Sequence, residues 1–234
     1  MSKTTDWRRL FVEGAAVVAS ILLAFAIDAA WGERDQREQA RERVAAVEAE
    51  LSVFITQLEA EVVSLRRVED AAQFALGSIA AGSTSTTLPD TVLAALLFIP
   101  GIDPPLTAAR TALEEGALVS LGRATVADSL SGWPEWVASQ RANERETFRF
   151  VVEELTPHLR EAAELSGVFP IGRPWLDGSL PEGWTSSVVQ VSGSLELRNL
   201  LAERLFNATL SREDYEALHA RATRLRDMLS EGSR

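Results

Sequence analysis

The N-terminal apolar segment most constrains what this chain can fold into. From Leu10 to Trp31 the sequence reads LFVEGAAVVASILLAFAIDAAW, a stretch of 22 residues. As a helix rising about 1.5 Å per residue, it spans the roughly 30 Å hydrocarbon layer of a bilayer. Its uninterrupted apolar part, Gly14 to Ile27, is only as long as a signal-peptide core. Three interpretations therefore compete: a membrane-spanning anchor, a cleaved signal peptide and the buried helix of a soluble domain.

The residues that flank this segment favour the anchor. Arg8 and Arg9 precede it, and Trp7 and Trp31 bracket it where the two headgroup layers would lie, a position that the amphipathic indole ring prefers. Glu13 argues against a signal peptide, whose apolar region is usually free of acids, although small residues before Trp31 still allow a cleavage site. We expect an uncleaved anchor with Trp7, Arg8, Arg9 and Trp31 at the membrane interfaces.

One face of the segment carries small and polar residues at every fourth position: Ala16, Ser20, Ala24 and Asp28. Small residues let another helix approach closely, and Ser20 or Asp28 can hydrogen-bond to it. We expect this face to pack against another membrane protein subunit or a second copy of the chain. The alternative is that Glu13 and Asp28, which lie near opposite ends, simply reach headgroups or water.

Membrane orientation is only weakly specified by the charges. Lys3, Arg8 and Arg9 precede the segment, while four arginines follow it at 34, 37, 41 and 43, so counting alone favours a cytoplasmic domain. The downstream arginines alternate with acids, and the short N-terminal tail resembles the start of a signal anchor. We therefore expect the N-terminus inside a bacterial inner membrane and the domain in the periplasm.

Composition requires a water-facing domain and excludes nucleic acid as a partner. Hydrophobic residues make up 46% and charged residues 24% of the 234, too apolar for disorder and too charged for a bundle of spans. With 34 Asp and Glu against 23 Lys and Arg, the net charge of −11 repels a phosphate backbone. The chain has no Cys and hence no disulfide or thiolate ligand.

After the tail at 1–9 and the transmembrane helix at 10–31, residues 32–80 predict a long amphipathic helix. Its stripe follows three- and four-residue steps through Val44, Val47, Leu51, Phe54, Leu58, Leu65 and Val68, and is interrupted at Glu61, beside Val62. The stripe must be buried, either against helices of the same chain or in a coiled coil with another subunit.

Residues 81–234 predict a helical extramembrane domain. The run Ala80 to Thr87 is typical of a loop, and Thr87 with Asp90 predicts the capped start of a short helix. Further helices are expected from Leu106 to Leu113, from Pro134 to Leu165 with a kink or break at Pro157, from Leu195 to Phe206, and from Ser211 to Met228, with Ser211 as a cap. A Pro/Gly/Trp-rich loop at 167–186 includes Trp175 and Trp184. The fold class is therefore all-α: one transmembrane helix continuing into a long helix, then an antiparallel helical array.

The string EGAAVVASILLAFAIDAAW, followed at once by an Arg/Glu-rich helix, resembles a family of bacterial single-pass membrane proteins classed as a domain of unknown function. The anchor motif has the form SILLAFxIDAxW. Later pieces such as TARTALEEGALVSLG and VVEELTPHLRE look similar more loosely. The resemblance implies a membrane anchor with a helical domain and supplies no catalytic residues.

No residue pattern predicts catalysis, a cofactor or a metal site. His158 and His219 have no second His or Cys at ligand spacing, so both are expected on the surface or at a helix cap. An enzyme would need a carboxylate-only site, which would show as acids with raised pKa values converging in a pocket. We expect a non-enzymatic structural or accessory subunit of a larger membrane complex, for example a respiratory or photosynthetic one; a membrane-anchored periplasmic sensor or ligand-binding protein is the alternative.

Overall fold

The computed structural model describes residues 7–79, 85–102, 104, 107–165, 168 and 188–231. The fold is all-α, as the sequence predicts. In the described part, the α-helices are α1 Trp7–Ile79, α2 Asp90–Leu96, α3 Thr107–Glu114, α4 Ala117–Ser120, α5 Ala124–Ser131, α6 Trp133–Arg149, α7 Thr156–Ala162 and α8 Leu195–Glu231. A π-helical segment, Phe150–Leu155, joins α6 to α7, and β1 Ser85–Pro89 pairs with β2 Val188–Ser192.

The two longest helices, α1 and α8, pack side by side along most of the domain. Both bury a residue at alternating steps of three and four, the spacing of an antiparallel coiled coil. The α1 stripe predicted from the sequence is buried throughout. Of the two alternatives, it packs against other helices of the same chain. The α8 stripe comprises Leu197, Leu201, Arg204, Ala208, Ser211, Tyr215, Leu218, Ala222, Leu225 and Leu229.

Ion pairs along one side of this helix pair show its antiparallel register. Arg212 donates to Glu69 at 2.8 Å, Arg66 donates to Glu216 at 3.0 Å, and His219 lies 3.1 Å from Glu59. As the residue number rises on α8, that of its partner on α1 falls. Such accessible pairs add little stability, so their main effect is to favour this register over slipped ones.

The remaining elements cover α1 and α8 in two groups. Nearer the N-terminal segment, α3, α4 and α5 with Trp133 and Val137 of α6 pack on the first half of the α1 stripe. At the far end, α2, the π-helical segment, α7 and the two strands cover the second half. Glu50 of α1 accepts the backbone N–H of Ala108 at 3.1 Å, which fixes the start of α3 against α1.

Pro157, where the sequence predicts a kink or a break, disturbs the helix that precedes it. Proline lacks an N–H and its ring crowds the carbonyl four residues earlier, so the preceding turn cannot keep regular α geometry. Here the turn widens into Phe150–Leu155 instead of breaking, and the hydroxyl of Thr156 donates to the Val151 carbonyl at 2.6 Å. Pro157 lies just after the π-helical segment, at the start of α7, so the wider turn accommodates its ring without ending the helix.

Three local predictions differ from the structure. Ser211 does not begin a new helix, because α8 is continuous and buries Ser211 in its middle. Thr87 lies in β1, and Pro89 takes the cap position of α2. The strands were not expected, although VVQVS alternates in the manner of a strand and buries Val189 and Val191. The predicted loop at 167–186, with Trp175 and Trp184, lies outside the described residues except for buried Val168.

Candidate functional site

The first part of α1 is uncovered. Every residue from 11 to 39 is exposed, including Phe11, Leu22, Leu23, Phe25 and Ile27. The first buried residue of α1 is Ala40. The helix is long and apolar enough to cross a membrane by length and composition. An apolar surface of this extent on a soluble monomer is unusual and marks a contact with lipid or protein.

Ala16, Ser20, Ala24 and Asp28 lie in this uncovered part and are all exposed. Each four-residue step advances about 40° around a helix, so the four form a slowly winding strip that suits a crossing helix better than a parallel one. The hydroxyl of Ser20 donates to the Ala16 carbonyl at 2.8 Å, which leaves its oxygen free only to accept from a partner. Asp28 is thus the stronger acceptor on the strip.

The expected interface residues are only partly described. Trp31 is 74% exposed at the end of the apolar segment, as a headgroup-level residue would be. The helix begins at Trp7, but the side chains of Trp7, Arg8 and Arg9 lie outside the described residues. Between Trp31 and the domain runs an exposed helical stalk, residues 32–39, about 12 Å long at the usual helical rise.

A second feature, the acid cluster, lies inside the domain where three helices meet. It consists of Glu61 on α1, Glu144 and Gln140 on α6, and Tyr215 on α8. The Tyr215 hydroxyl donates to Oε1 of Glu144 at 2.5 Å, and the backbone N–H of Ile102 donates to the same oxygen at 3.4 Å. Glu61 occupies a core position of the α1 stripe, where its Oε2 is buried and has no hydrogen-bond partner among the described residues.

Burial and like charge dominate the electrostatics of the acid cluster. Burial, reinforced by the neighbouring Glu144 carboxylate, raises the pKa of Glu61 to about 7. Burial also raises the pKa of Glu144, although the Tyr215 hydrogen bond, the Ile102 N–H, Arg141 and Arg145 all act in the opposite direction. Burial and the two carboxylates raise the pKa of Tyr215, which therefore stays a neutral donor. A carboxyl group with a pKa of about 7 is partly protonated near neutral pH.

Solvent reaches the acid cluster from one side. A cleft of about 420 Å³, lined by Ile102, Arg141, Glu144 and Arg145 among others, opens onto the Glu144 side chain. Glu61 is not among its lining residues. Both acids are only partly buried, and Glu144 is the one that lines this cleft.

A groove between α6 and α8 forms a further concave surface near the cluster. One end, of about 490 Å³, is lined by Gln140, Asn143 and Asp214 among others, and the adjoining pocket, of about 300 Å³, by Trp133, Arg224 and Met228 among others. Trp136 and Arg221 line both, and the Arg221 guanidinium lies over the Trp136 ring. An aromatic wall beside two arginines is suited to an organic anion.

The histidines are peripheral, as predicted. His219 lies at the surface beside Glu59, and His158 lies 3.3 Å from the hydroxyl of Ser194, which caps α8 by accepting the Leu197 N–H at 3.0 Å. Within the described ranges, no group of three or more His, Asp or Glu side chains is arranged to hold a metal ion.

No protein-family model, curated protein or solved structure matches this chain. The family resemblance of the N-terminal string therefore stays a prediction. The candidate sites are therefore interpreted from their geometry alone.

The acid cluster was missed by reasoning from the sequence, although a signal was present. Glu61 interrupts an otherwise apolar three- and four-residue pattern, which places an acid on the packed face between the buried residues Leu58 and Leu65. Its partners could not be found in this way because Glu144 and Tyr215 lie far along the chain. Their approach depends on how α6 and α8 pack on α1.

Proposed function

We propose that this chain is a non-enzymatic single-pass membrane protein that serves as a structural or accessory subunit of a larger membrane complex. One observation carries the proposal: α1 runs without interruption from an uncovered apolar segment into the core of the domain. A continuous helix of this kind holds the domain at a set distance from the bilayer. Respiratory and photosynthetic assemblies are examples of complexes that use such subunits.

The membrane we propose is a bacterial inner membrane, with the domain on the periplasmic side. The orientation is supported by the short basic N-terminal tail with Lys3, Arg8 and Arg9, which resembles the start of a signal anchor and is expected to stay inside.

The contact with the complex is proposed to lie on the strip Ala16, Ser20, Ala24 and Asp28. Hydrogen bonds between helices in membranes average only about 0.6 kcal/mol, so close packing should supply most of the contact energy. Ala24→Leu should therefore reduce co-purification of partners in mild detergent more than Asp28→Asn does. Val18→Leu, at an exposed apolar position off the strip, is the matched control and should change nothing.

Mild-detergent purification from the native membrane measures this directly. Recovery of the wild-type protein alone and monomeric, with Ala24→Leu behaving identically, would remove the support for both the strip and the accessory role.

A second candidate function, a membrane-anchored sensor or ligand-binding protein, is favoured by the groove between α6 and α8. Trp136 and the two arginines would recognise an organic anion there. Tryptophan fluorescence during a screen of aromatic carboxylates tests this role. Saturable quenching that is lost in Arg221→Ala would favour the sensor over the accessory subunit.

A carboxylate-dependent enzyme gains some support from the acid cluster, since its pKa values are raised beside a cleft. We place it below the other two. Of the two acids only Glu144 lines the cleft, and its Oε1 is already held by Tyr215. A substrate entering the cleft would meet one engaged carboxylate instead of a pair.

A further inference from the structure

The acid cluster places three groups with exchangeable protons on three different helices. Glu61 belongs to α1, the helix that carries the apolar segment, while Glu144 belongs to α6 and Tyr215 to α8. Ordinary coiled-coil packing would fill the position of Glu61 with an apolar side chain, as it does at Leu58 and Leu65 on either side, both fully buried. An acid at this position lowers stability when it is ionised, which calls for an explanation.

Glu61 meets a like charge and no compensating one among the described residues. Burial is the main cause of its raised pKa, and the Glu144 carboxylate of α6 adds to it. From α8 the neutral Tyr215 hydroxyl donates its proton to Glu144. Arg141 and Arg145 of α6 act on Glu144, at the cleft side. The other charged groups close by are engaged: Asp214 of α8 accepts from Asn143, and Glu59 of α1 pairs with His219.

Two buried polar atoms of the acid cluster make no hydrogen bond of ordinary geometry with the described residues: Oε2 of Glu61 and Nε2 of Gln140. Gln140 is 5% exposed and lies close enough to Tyr215 to lower the pKa of its hydroxyl. Buried polar atoms are normally paired, so Oε2 of Glu61 is the acceptor that lacks a donor. A proton on the carboxylate pair removes one of its two negative charges and with it the repulsion between the carboxylates.

We propose that Glu61 and Glu144, held by Tyr215, form a proton-binding site that ties the packing of α1 against α6 and α8 to pH. With one proton bound, the pair carries a single charge, which Tyr215 and the Ile102 N–H stabilise at Glu144. When that proton leaves through the solvent-facing cleft, two carboxylates repel each other across the α1–α6 contact. The packing of α1 against α6 then weakens. Because α1 continues into the apolar segment, the change affects the helix that leads to the membrane-spanning part proposed above.

The direction of the pH effect follows from the linkage between proton binding and folding. Glu61 ionises near pH 4.5 when exposed and near pH 7 in the fold, so the fold binds the proton more tightly than the unfolded chain does. Burying the ionised Glu61 destabilises the fold, and this destabilisation is absent below about pH 4.5. It grows as the pH rises towards 7 and is fully present above pH 7. Because the two acids interact, they titrate as a pair.

Infrared titration of the full chain in detergent tests the site, because a protonated carboxyl group absorbs apart from a carboxylate. We expect a protonated carboxyl band that persists to pH 6, is lost between pH 6 and 8, and is absent from Glu61→Gln. Glu38→Gln, an exposed position on the same helix, is the control and should keep the band.

Thermal unfolding supplies a second readout. Glu61→Gln should melt a few degrees higher than the wild type at pH 8.5 and at the same temperature near pH 4.5. A wild-type chain whose carboxyl groups are all ionised by pH 6 would overturn the proposal. The infrared titration of the wild-type chain shows whether the acid pair binds a proton even if Glu61→Gln fails to fold. It also stands apart from the accessory role, since it requires neither a partner nor a membrane.

Discussion

Arg204 is the most deeply buried charged side chain among the described residues, and its role is structural. It is fully buried on the α8 stripe, where its Nε donates to the Leu96 carbonyl at 2.9 Å and its Nη2 to the Phe98 carbonyl at 2.5 Å. These carbonyls end α2, where a helix presents unpaired acceptors and a partial negative charge. Burial lowers the pKa of Arg204 to about 10, so the side chain stays charged at neutral pH.

Replacing Arg204 should destabilise the domain. In Arg204→Met the side-chain volume is nearly kept while the two carbonyls lose their donors, and we expect a loss of about 2–4 kcal/mol in the free energy of unfolding. Denaturant unfolding measures it. Arg198→Met, at an exposed position six residues earlier on the same helix, should cost under about 0.5 kcal/mol. Equal stability of the two variants would show that the α2 cap does not depend on Arg204.

At the scale of elements, the sequence predicts the helices whose patterns are long and regular. The α1 stripe was predictable because its spacing is uninterrupted except at Glu61. The continuity of α8 was not, since Ser211 and Asp214 imitate a capped helix start and only burial against α1 shows that the stripe runs through Ser211. The strand pair was also missed, because two five-residue strands separated by about a hundred residues gain their hydrogen bonds only in the folded chain.

The structure predicts that the domain folds without the apolar segment. No side chain from 11 to 39 is buried, so the segment and the stalk contribute nothing to the core. A chain lacking residues 1–31 should therefore be soluble and helical, with a melting temperature within a few degrees of that of the full chain in detergent. Circular dichroism during heating measures both. A shortened chain that aggregates or melts without cooperativity would show that the apolar segment supports the domain.

At the scale of the whole molecule, the proposed arrangement is an acidic helical domain on a stalk above a membrane. The stalk raises the first buried layer about 12 Å beyond Trp31 if the helix stands upright. Beyond the stalk, α8 packs along α1 within the domain. A partner bound to the apolar segment and a proton bound at Glu61 would therefore act on the same helix, one outside the domain and one within it.

The most direct test of the central claim, that α1 crosses a membrane, is extraction of the native membrane fraction with alkaline carbonate. Insertion of a whole apolar helix is effectively irreversible, so the protein should remain in the pellet after alkali or high salt and be released only by detergent. The chain lacking residues 1–31 should appear in the soluble fraction. Release of the full chain by carbonate, or a mature N-terminus beyond Ala30, would contradict the account.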